Sequence, residues 1–421
     1  MRQFLLYIWL VSSLLFCQRA TIDAFTYINI SKQCRAPSAT KLFKASSSTV
    51  VEMDTSRIEK VRKSVDKLKK VLEREYISFF DPMQCEYYSN DVTFVDPMTS
   101  LTGVEKYKGN VDMLASRTLF GKFLFADAGI ILHSVEGGDV SLSDGSISNI
   151  TTRWTLKVTV TKLPWTPTAR FTGISVYEVS EDPEGVLVKV NKQIDFWDSI
   201  NIVGTQGEYG KVDKSIAIAD FLDQLKPQNG NAAASFTEMP YELLRRGKDY
   251  EIRRYPEHTT AVVPYTRRDE AFDLLGSLTK GIEPLSPALM TVPNDDNAKK
   301  TMAWPLLYKS PSESSIPQVP QKILDKFQDP IWSDCEIETV GSKVVAVGTF
   351  RDASVAPIVR KADRRLREAI SRDGILIPSE SDSFVKFAQY DAIFSLGKRR
   401  GEVWLELNSI TGHPWANSNS S

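Results

Sequence analysis

The chain predicts an α+β fold in two units, because helix-periodic segments precede a run of strands in its first half and a strand, strand, helix block occurs twice in its second. Its 421 residues exceed the roughly 100–200 that one core usually organises, so two cores are expected. Lys plus Arg number 52 against 53 Asp plus Glu, and beyond the first fifty positions the basic residues are interspersed with acids. The sequence has no clustered basic face of the kind nucleic acid requires, so no nucleic-acid partner is expected.

The cysteines are Cys17, Cys34, Cys85 and Cys335. The first two fall in a segment with the composition of a targeting sequence, which leaves one per unit and no disulfide framework. No Cys-x-x-Cys pair occurs and His133, His258 and His413 are scattered, so a structural zinc site is not expected.

Residues 1–51 read as an address. Met1 to Ala24 has one early cation, Arg2, an apolar stretch from Phe4 to Leu10 that resumes at Leu14 to Phe16, and a small residue at Ala24, the pattern of a secretory signal peptide. It is short for a membrane span and is interrupted by Ser12 and Ser13. Phe25 to Val51 contains Lys32, Arg35, Lys41 and Lys44, many Ser and Thr, and no acid, which is transit-peptide composition. The tandem resembles the bipartite presequence of algae whose plastids came from secondary endosymbiosis, and the resemblance implies import into a plastid. Plain secretion is the competing reading, helped by the glycosylation triplet Asn29-Ile30-Ser31.

The first unit spans about 55–202. Ile58, Val61, Val65, Leu68 and Leu72 recur at helical spacing with charged residues between them, which predicts an amphipathic helix too short for a coiled coil. A shorter helix around Val104 to Ala115 precedes expected strands at Phe123–Ala126, Ile130–Leu132, Ile150–Val160, Phe171–Val179 and Val186–Phe196. The pieces 88–94, Asp96-Pro97 and Gly103 with its following helix resemble the SnoaL-like, cystatin-like cone, in which helices lie on a curved antiparallel sheet and enclose a pocket. Some relatives use an Asp or His there as a base. Asp96 before Pro97 suits a turn and His133 ends a strand, so no catalytic residue is assigned, and Trp154, Trp165 and Trp197 read as core or pocket lining. Residues 203–238 read as a linker with a short helix at Ser215–Leu225, closed by Pro227 and followed by an Asn, Gly and Ala-rich stretch.

The second unit spans about 239–407, with a Ser and Asn-rich tail at 408–421 expected to be disordered. Tyr250, Ile252 and Arg254 alternate with Glu251, Arg253 and Tyr255, and a β-branched run to Val263 follows Pro256, which predicts two strands broken at that proline. A helix with Ala271, Leu274, Leu275 and Leu278 comes next. The block returns as Cys335 to Val347 and a helix with Val359, Ala362, Leu366 and Ile370, and each helix is followed by a glycine, Gly281 or Gly374, suited to a left-handed helix end.

Tyr241-Glu-Leu-Leu, Asp249-Tyr-Glu-Ile-Arg-Arg-Tyr-Pro, Met290-Thr-Val-Pro, Trp304-Pro-Leu, Ala388-Gln-Tyr-Asp and Arg399-Arg-Gly-Glu-Val-Trp resemble, in order, the SOUL heme-binding family. The resemblance implies a pseudo-twofold antiparallel β-barrel with two helices, shared with gyrase-inhibitor-like domains. A cone fused ahead of such a domain is the arrangement of plastid SOUL-family proteins. The resemblance also implies heme or another tetrapyrrole as ligand, held in a groove between the first helix and the last loop. On this chain Phe272, Leu275, Leu278, Ile393 and Phe394 would cover the macrocycle, and Arg268, Lys280 and Lys398 would meet its carboxylates. Helical spacing alone equally makes Leu275 and Leu278 core residues. His258 is the candidate iron ligand, with a polar strand position as its alternative. The function expected is a non-enzymatic tetrapyrrole binder or carrier in the plastid. The alternatives are an apolar-ligand protein peripherally associated with thylakoid or lipid particles, and an enzyme using the cone's cavity.

Overall fold

In a computed structural model the described residues are 55–183, 185, 187–227, 237–283, 285–295, 297–351, 354–390 and 400–407. The presequence, the Asn-rich linker, the stretch 391–399 with Ile393, Phe394 and Lys398, and the tail with His413 lie outside them.

The first unit comprises α1 (Thr55–Ile77), β1 (Tyr88–Val95), β2 (Ser100–Thr102), α2 (Val104–Leu114), α3 (Leu119–Leu124), β3 (Phe125–Gly137), β4 (Ile150–Val160), β5 (Thr168–Glu181) and β6 (Val188–Trp197). The strands form one sheet in the order β2-β1-β6-β5-β4-β3, antiparallel throughout except for the parallel pair β1 and β6. α1 buries the expected stripe, Ile58, Val61, Val65, Leu68 and Leu72, against this sheet. Phe123 does not open a strand. Thr118 accepts a bond from the Gly121 amide at 2.9 Å and so caps α3, which runs to Leu124 before β3 begins. The connection holds a two-residue ribbon, β7 (Ile202–Val203) with β8 (Glu208–Tyr209), and α4 (Lys214–Gln224), whose N-terminus Asp213 caps.

The second unit comprises β9 (Glu242–Arg246), β10 (Glu251–Tyr255), β11 (His258–Tyr265), α5 (Arg268–Leu278), β12 (Ala288–Pro293), β13 (Lys300–Tyr308), α6 (Gln321–Leu324), β14 (Glu336–Val340), β15 (Lys343–Phe350), α7 (Ala356–Arg372), β16 (Phe384–Gln389) and β17 (Gly401–Glu406). Its nine strands follow the order β14-β11-β13-β12-β16-β17-β15-β10-β9, all antiparallel. Leaving β9 aside, the order is twofold about the β12–β16 seam. The halves β10-β11-α5-β12-β13 and β14-β15-α7-β16-β17 exchange first strands, since β10 pairs with β15 and β14 with β11. β11 and β15 are each eight residues long, so the halves align Tyr265 with Phe350, Val263 with Gly348 and His258 with Lys343. Opposite them, Ala261 pairs with Trp304 where Ala346 pairs with Leu405.

The helix side of the sheet buries Ile252, Ala261, Val263, Met302, Val403 and Leu405 beneath α5 and α7. The other side packs Tyr255, Val345, Val347, Ala388, Tyr390 and Trp404 around Glu402, which is fully buried. Arg253 of the first half donates to both Glu402 oxygens at 3.1 Å, with Tyr390 and Trp404 adding bonds at 2.7 and 3.0 Å. Burial opposes ionisation of Glu402, but Arg253 and Arg400 outweigh it and hold the carboxyl below its ordinary range. The halves are therefore joined by a charge pair as well as by apolar packing.

β9 ends the sheet, and an unsatisfied strand edge is costly. Here side chains of the first unit supply the partners. Thr155 donates to the Leu243 carbonyl at 2.7 Å, Arg153 to the Leu244 carbonyl at 3.2 Å, and the Arg246 amide donates to Thr172 at 2.7 Å. Arg153 also meets Asp198 at 2.8 Å. Burial pushes Asp198 up, yet Arg153 and Arg245 prevail and keep it low.

Candidate functional site

α5 starts with Asp269 and Glu270 in its first turn, where the helix dipole favours acids, and ends just before Gly281, which sits at φ +102°. Its inner stripe is Ala271, Leu275 and Leu278. Leu275 and Leu278 are 0% exposed, so they are core residues and do not present a slot to a ligand, a correction that follows from their spacing one turn apart on the buried face. Phe272, one step round the helix, is only part-buried and meets Trp304 edge-on at 5.4 Å and 63°. The exposed Gly276 leaves the indole uncovered: a Cβ there would stand 3.9 Å from Trp304 Cη2.

Trp304 Nε1 is buried and has no hydrogen-bond partner among the described residues. An orphaned buried N–H costs about 1–3 kcal/mol, so the indole is held here by its packing and not by a hydrogen bond. Tyr265 lies half-buried at the end of β11, and burial pushes its hydroxyl up while the nearby Arg268 cation pulls it down. Phe272 and Trp304 thus form an aromatic shelf along α5, with Arg268 one turn before Phe272 and acting on Tyr265. The predicted site residues Arg268 and Phe272 are brought together there.

Lys280 is not. It follows the C-terminal end of α5, about 18 Å along the axis from Arg268 at 1.5 Å per residue, so the two lie at opposite ends of the helix. That end is also sealed. Lys326 donates to the Ser277 and Leu278 carbonyls at 2.7 Å each and Lys322 to the Gly281 carbonyl at 3.2 Å, while Ile323 is fully buried with Phe327 and Trp332 packed beside the core. Ile393, Phe394 and Lys398 belong to the stretch outside the described residues. Its two bases, Gln389 and Gly401, pair with each other, and Gln389 pairs with Ala288 of β12, next to the strand that carries Trp304.

His258 is corrected as well. Along β11, Ala261 and Val263 face the helices, so His258, of opposite parity, faces the other side, where Lys343 and Lys386 act on it. It is buried, its Nδ1 lies 2.9 Å from the Pro256 carbonyl, and burial holds it below the ordinary imidazole value. The sheet separates it from the shelf, so it is not placed to ligate iron there. Among the described residues no group of three or more His, Cys, Asp or Glu could hold a metal ion.

In the first unit, Asp96 and Asp195 are raised by burial to about 6 and about 7. Asp96 accepts the amides of Met98 and Thr99 at 2.6 and 2.5 Å, as the expected turn requires. Asp195, which nothing in the sequence singled out, accepts from Gln193 at 2.8 Å, and Gln193 in turn is bonded by Tyr107. His133 points away from these groups, to Thr155 at 2.8 Å and to Glu242 of β9 at 3.3 Å. Trp154 donates to Ser175 and Trp165 to the Leu225 carbonyl, so both are structural.

Comparison with known proteins bears on both units. Residues 236–406 match the SOUL heme-binding protein family, and residues 66–187 match DUF2358, described as an uncharacterized conserved protein. Similar solved structures include an NTF2-like protein of unknown function from Exiguobacterium sp. 255-15, at 13% identity over 34% of this chain and 98% of that one with a TM-score of 0.21. A type 2 hexachlorocyclohexane dehydrochlorinase (LinA) is similar at 8% identity over 34% and 90%, TM-score 0.25. The EcmrR C-terminal domain is similar at 10% identity over 40% and 98%, TM-score 0.27. No curated protein sequence matches. The SOUL match supports heme or tetrapyrrole binding in general terms. The chain thus carries, in order, a segment that matches the DUF2358 family and a segment that matches the SOUL heme-binding protein family.

Proposed function

We propose that the chain is a non-enzymatic tetrapyrrole binder or carrier of the plastid, and that the α5 shelf holds the ligand. The observation that carries this reading is the part-buried aromatic pair Phe272 and Trp304 beside the exposed Gly276, in a segment that matches a heme-binding family. Phe272 and Trp304 would cover part of a flat apolar macrocycle, and Arg268 would meet a carboxylate. When bound, heme would supply light absorption and a redox-active iron. None of the chain's described histidines adjoins the shelf, which favours sequestration or transport over imidazole-ligated redox work. The plastid assignment rests on the composition of residues 1–51.

Hemin titration of the purified chain, followed at the Soret band, tests the binding claim: saturation at one equivalent is expected, and a non-saturable rise contradicts it. The placement is tested by Gly276→Leu. That substitution lays a side chain over Trp304 while replacing a helical glycine, so hemin affinity should fall about tenfold with stability held or raised by up to about 1 kcal/mol. Unchanged affinity would remove the site from the shelf. Fusing residues 1–51 to a fluorescent protein in an alga with secondary plastids tests the address, with secretion as the contrary result.

A further inference from the structure

The half of the C-terminal domain opposite the shelf carries a recess that the tetrapyrrole reading does not use. Between α7, β15 and the β9–β10 turn runs an open groove of about 1060 Å3. Its floor is apolar: Gly348 and Phe350 of β15, and Ile358, Ala362, Leu366 and Ala369, which recur at helical spacing along one flank of α7. Gly348 stands where the other half has Val263, and a Cβ there would meet Leu366 Cβ and Val403 Cγ2 at 3.3 Å.

The walls are fixed by ion pairs and hydrogen bonds. Arg246 is clamped by Asp220 of α4 at 3.0 and 3.1 Å, Arg372 reaches Asp373 at 3.0 Å and Asp249 at 3.3 Å, and Tyr250 donates to Asp373 at 2.9 Å. Glu251 is taken by Arg253 at 2.7 Å. Once these groups are paired, Lys248, Arg351, Lys361 and Arg365 remain among the lining cations with no ion pair among the described residues, against Glu368 as the lining acid also without one. Lys361 and Arg365 stand one turn apart on α7, where like charges repel. They belong to a helix with six cations (Arg360, Lys361, Arg364, Arg365, Arg367 and Arg372) against Asp363 and Glu368, in a chain that is otherwise nearly neutral.

The internal symmetry explains why this flank is open. The segment ahead of β14, residues 321–332, folds back on α5 and buries Ile323 with Phe327 and Trp332 at its side. Its counterpart ahead of β10 is β9, which extends the sheet edge and is held there by Thr155, Arg153, Thr172 and Asp220 of the preceding part of the chain. The helix that packs on one half is thus replaced by an edge strand in the other, where Gln206 and Gly207 close on Asp373 and Gly374 at the end of α7 and leave its flank open.

We propose that the α7 groove is a second binding site, for an elongated amphipathic anion. An apolar chain lies along Phe350, Ile358 and Ala362, and a carboxylate or phosphate head sits among Lys248, Lys361 and Arg365. Calorimetric titration of the full chain with oleate, with a lysophosphatidate and with neutral monoolein, each below its aggregation concentration, tests this. One or both anions should saturate at one equivalent and monoolein should bind at least about tenfold more weakly. Lys361→Glu with Arg365→Glu should weaken the anion about tenfold or more, Lys361→Gln with Arg365→Gln by an intermediate factor, and both should keep the wild-type melting curve and hemin titration. Equal binding of monoolein, absence of saturable binding, or wild-type affinity in the charge-reversed chain overturns the proposal. Stoichiometric displacement of the anion by hemin also overturns it and moves the tetrapyrrole to this groove, whereas failure of hemin to bind at all leaves the anion result standing alone.

Discussion

The two halves of the C-terminal domain share one plan and differ in what lies against their helices. Against α5 the chain places its own segment 321–332 at the C-terminal end and leaves an aromatic shelf along the middle of the helix. Against α7 it places nothing along the flank, and cations line the opening. Aligned positions carry the difference: Trp304 faces Leu405 and Val263 faces Gly348 across the pseudo-twofold axis. A duplicated scaffold can therefore offer two ligand chemistries through a few side chains and one rerouted segment, with no change in strand order.

If the halves are joined through Glu402, removing that carboxylate should have the largest effect on stability. Glu402→Ala leaves the buried Arg253 with Glu251 alone and should cost about 3–5 kcal/mol in urea unfolding. A loss under about 1 kcal/mol would mean that each half stands alone. The plug supplies a smaller contrast. Ile323→Ala should cost about 2–4 kcal/mol because the side chain is fully buried, whereas Ile358→Ala, on the open flank of α7, should cost less than about 1. Equal costs would show that the α7 flank is covered too.

The smallest effect concerns the aligned pair His258 and Lys343. His258 titrates below the ordinary imidazole value of 6.5 in the folded chain because burial disfavours its cation. As pH falls through that value the unfolded chain takes up the proton first, so this contribution to stability is present above about pH 6.5 and is lost below it. His258→Gln should flatten the stability profile between about pH 5 and 7 relative to wild type, and an unaltered profile would place the imidazole in solvent.

Much of this fold is legible in the sequence because apolar period and chain breaks agree. The 58–72 stripe, the break at Pro256 and the repeated Glu-Ile strands each settle an element locally, and the order of the SOUL motifs places the second unit. The site is less legible. Helical spacing cannot tell a leucine under a helix from one beside a slot, which is why Leu275 and Leu278 fall to the core while Phe272, from the same helix, does not. Strand parity puts His258 behind the sheet, but that parity is readable only once Ala261 is known to face α5. Trp304 was visible as a strand marker, yet its orphaned N–H depends on Gly276 and Phe272 coming over it from another element. The paired charges Arg153–Asp198 and Arg253–Glu402 are too distant in sequence for any local pattern to signal them.

The central claim is that one half receives the tetrapyrrole and the other does not. Its most direct test is hemin affinity measured side by side in Phe272→Ala with Trp304→Leu and in Lys361→Glu with Arg365→Glu, each checked for wild-type folding by circular dichroism. The first pair should lose affinity about tenfold or more and the second should match wild type; loss in the second pair with full affinity in the first would contradict the account.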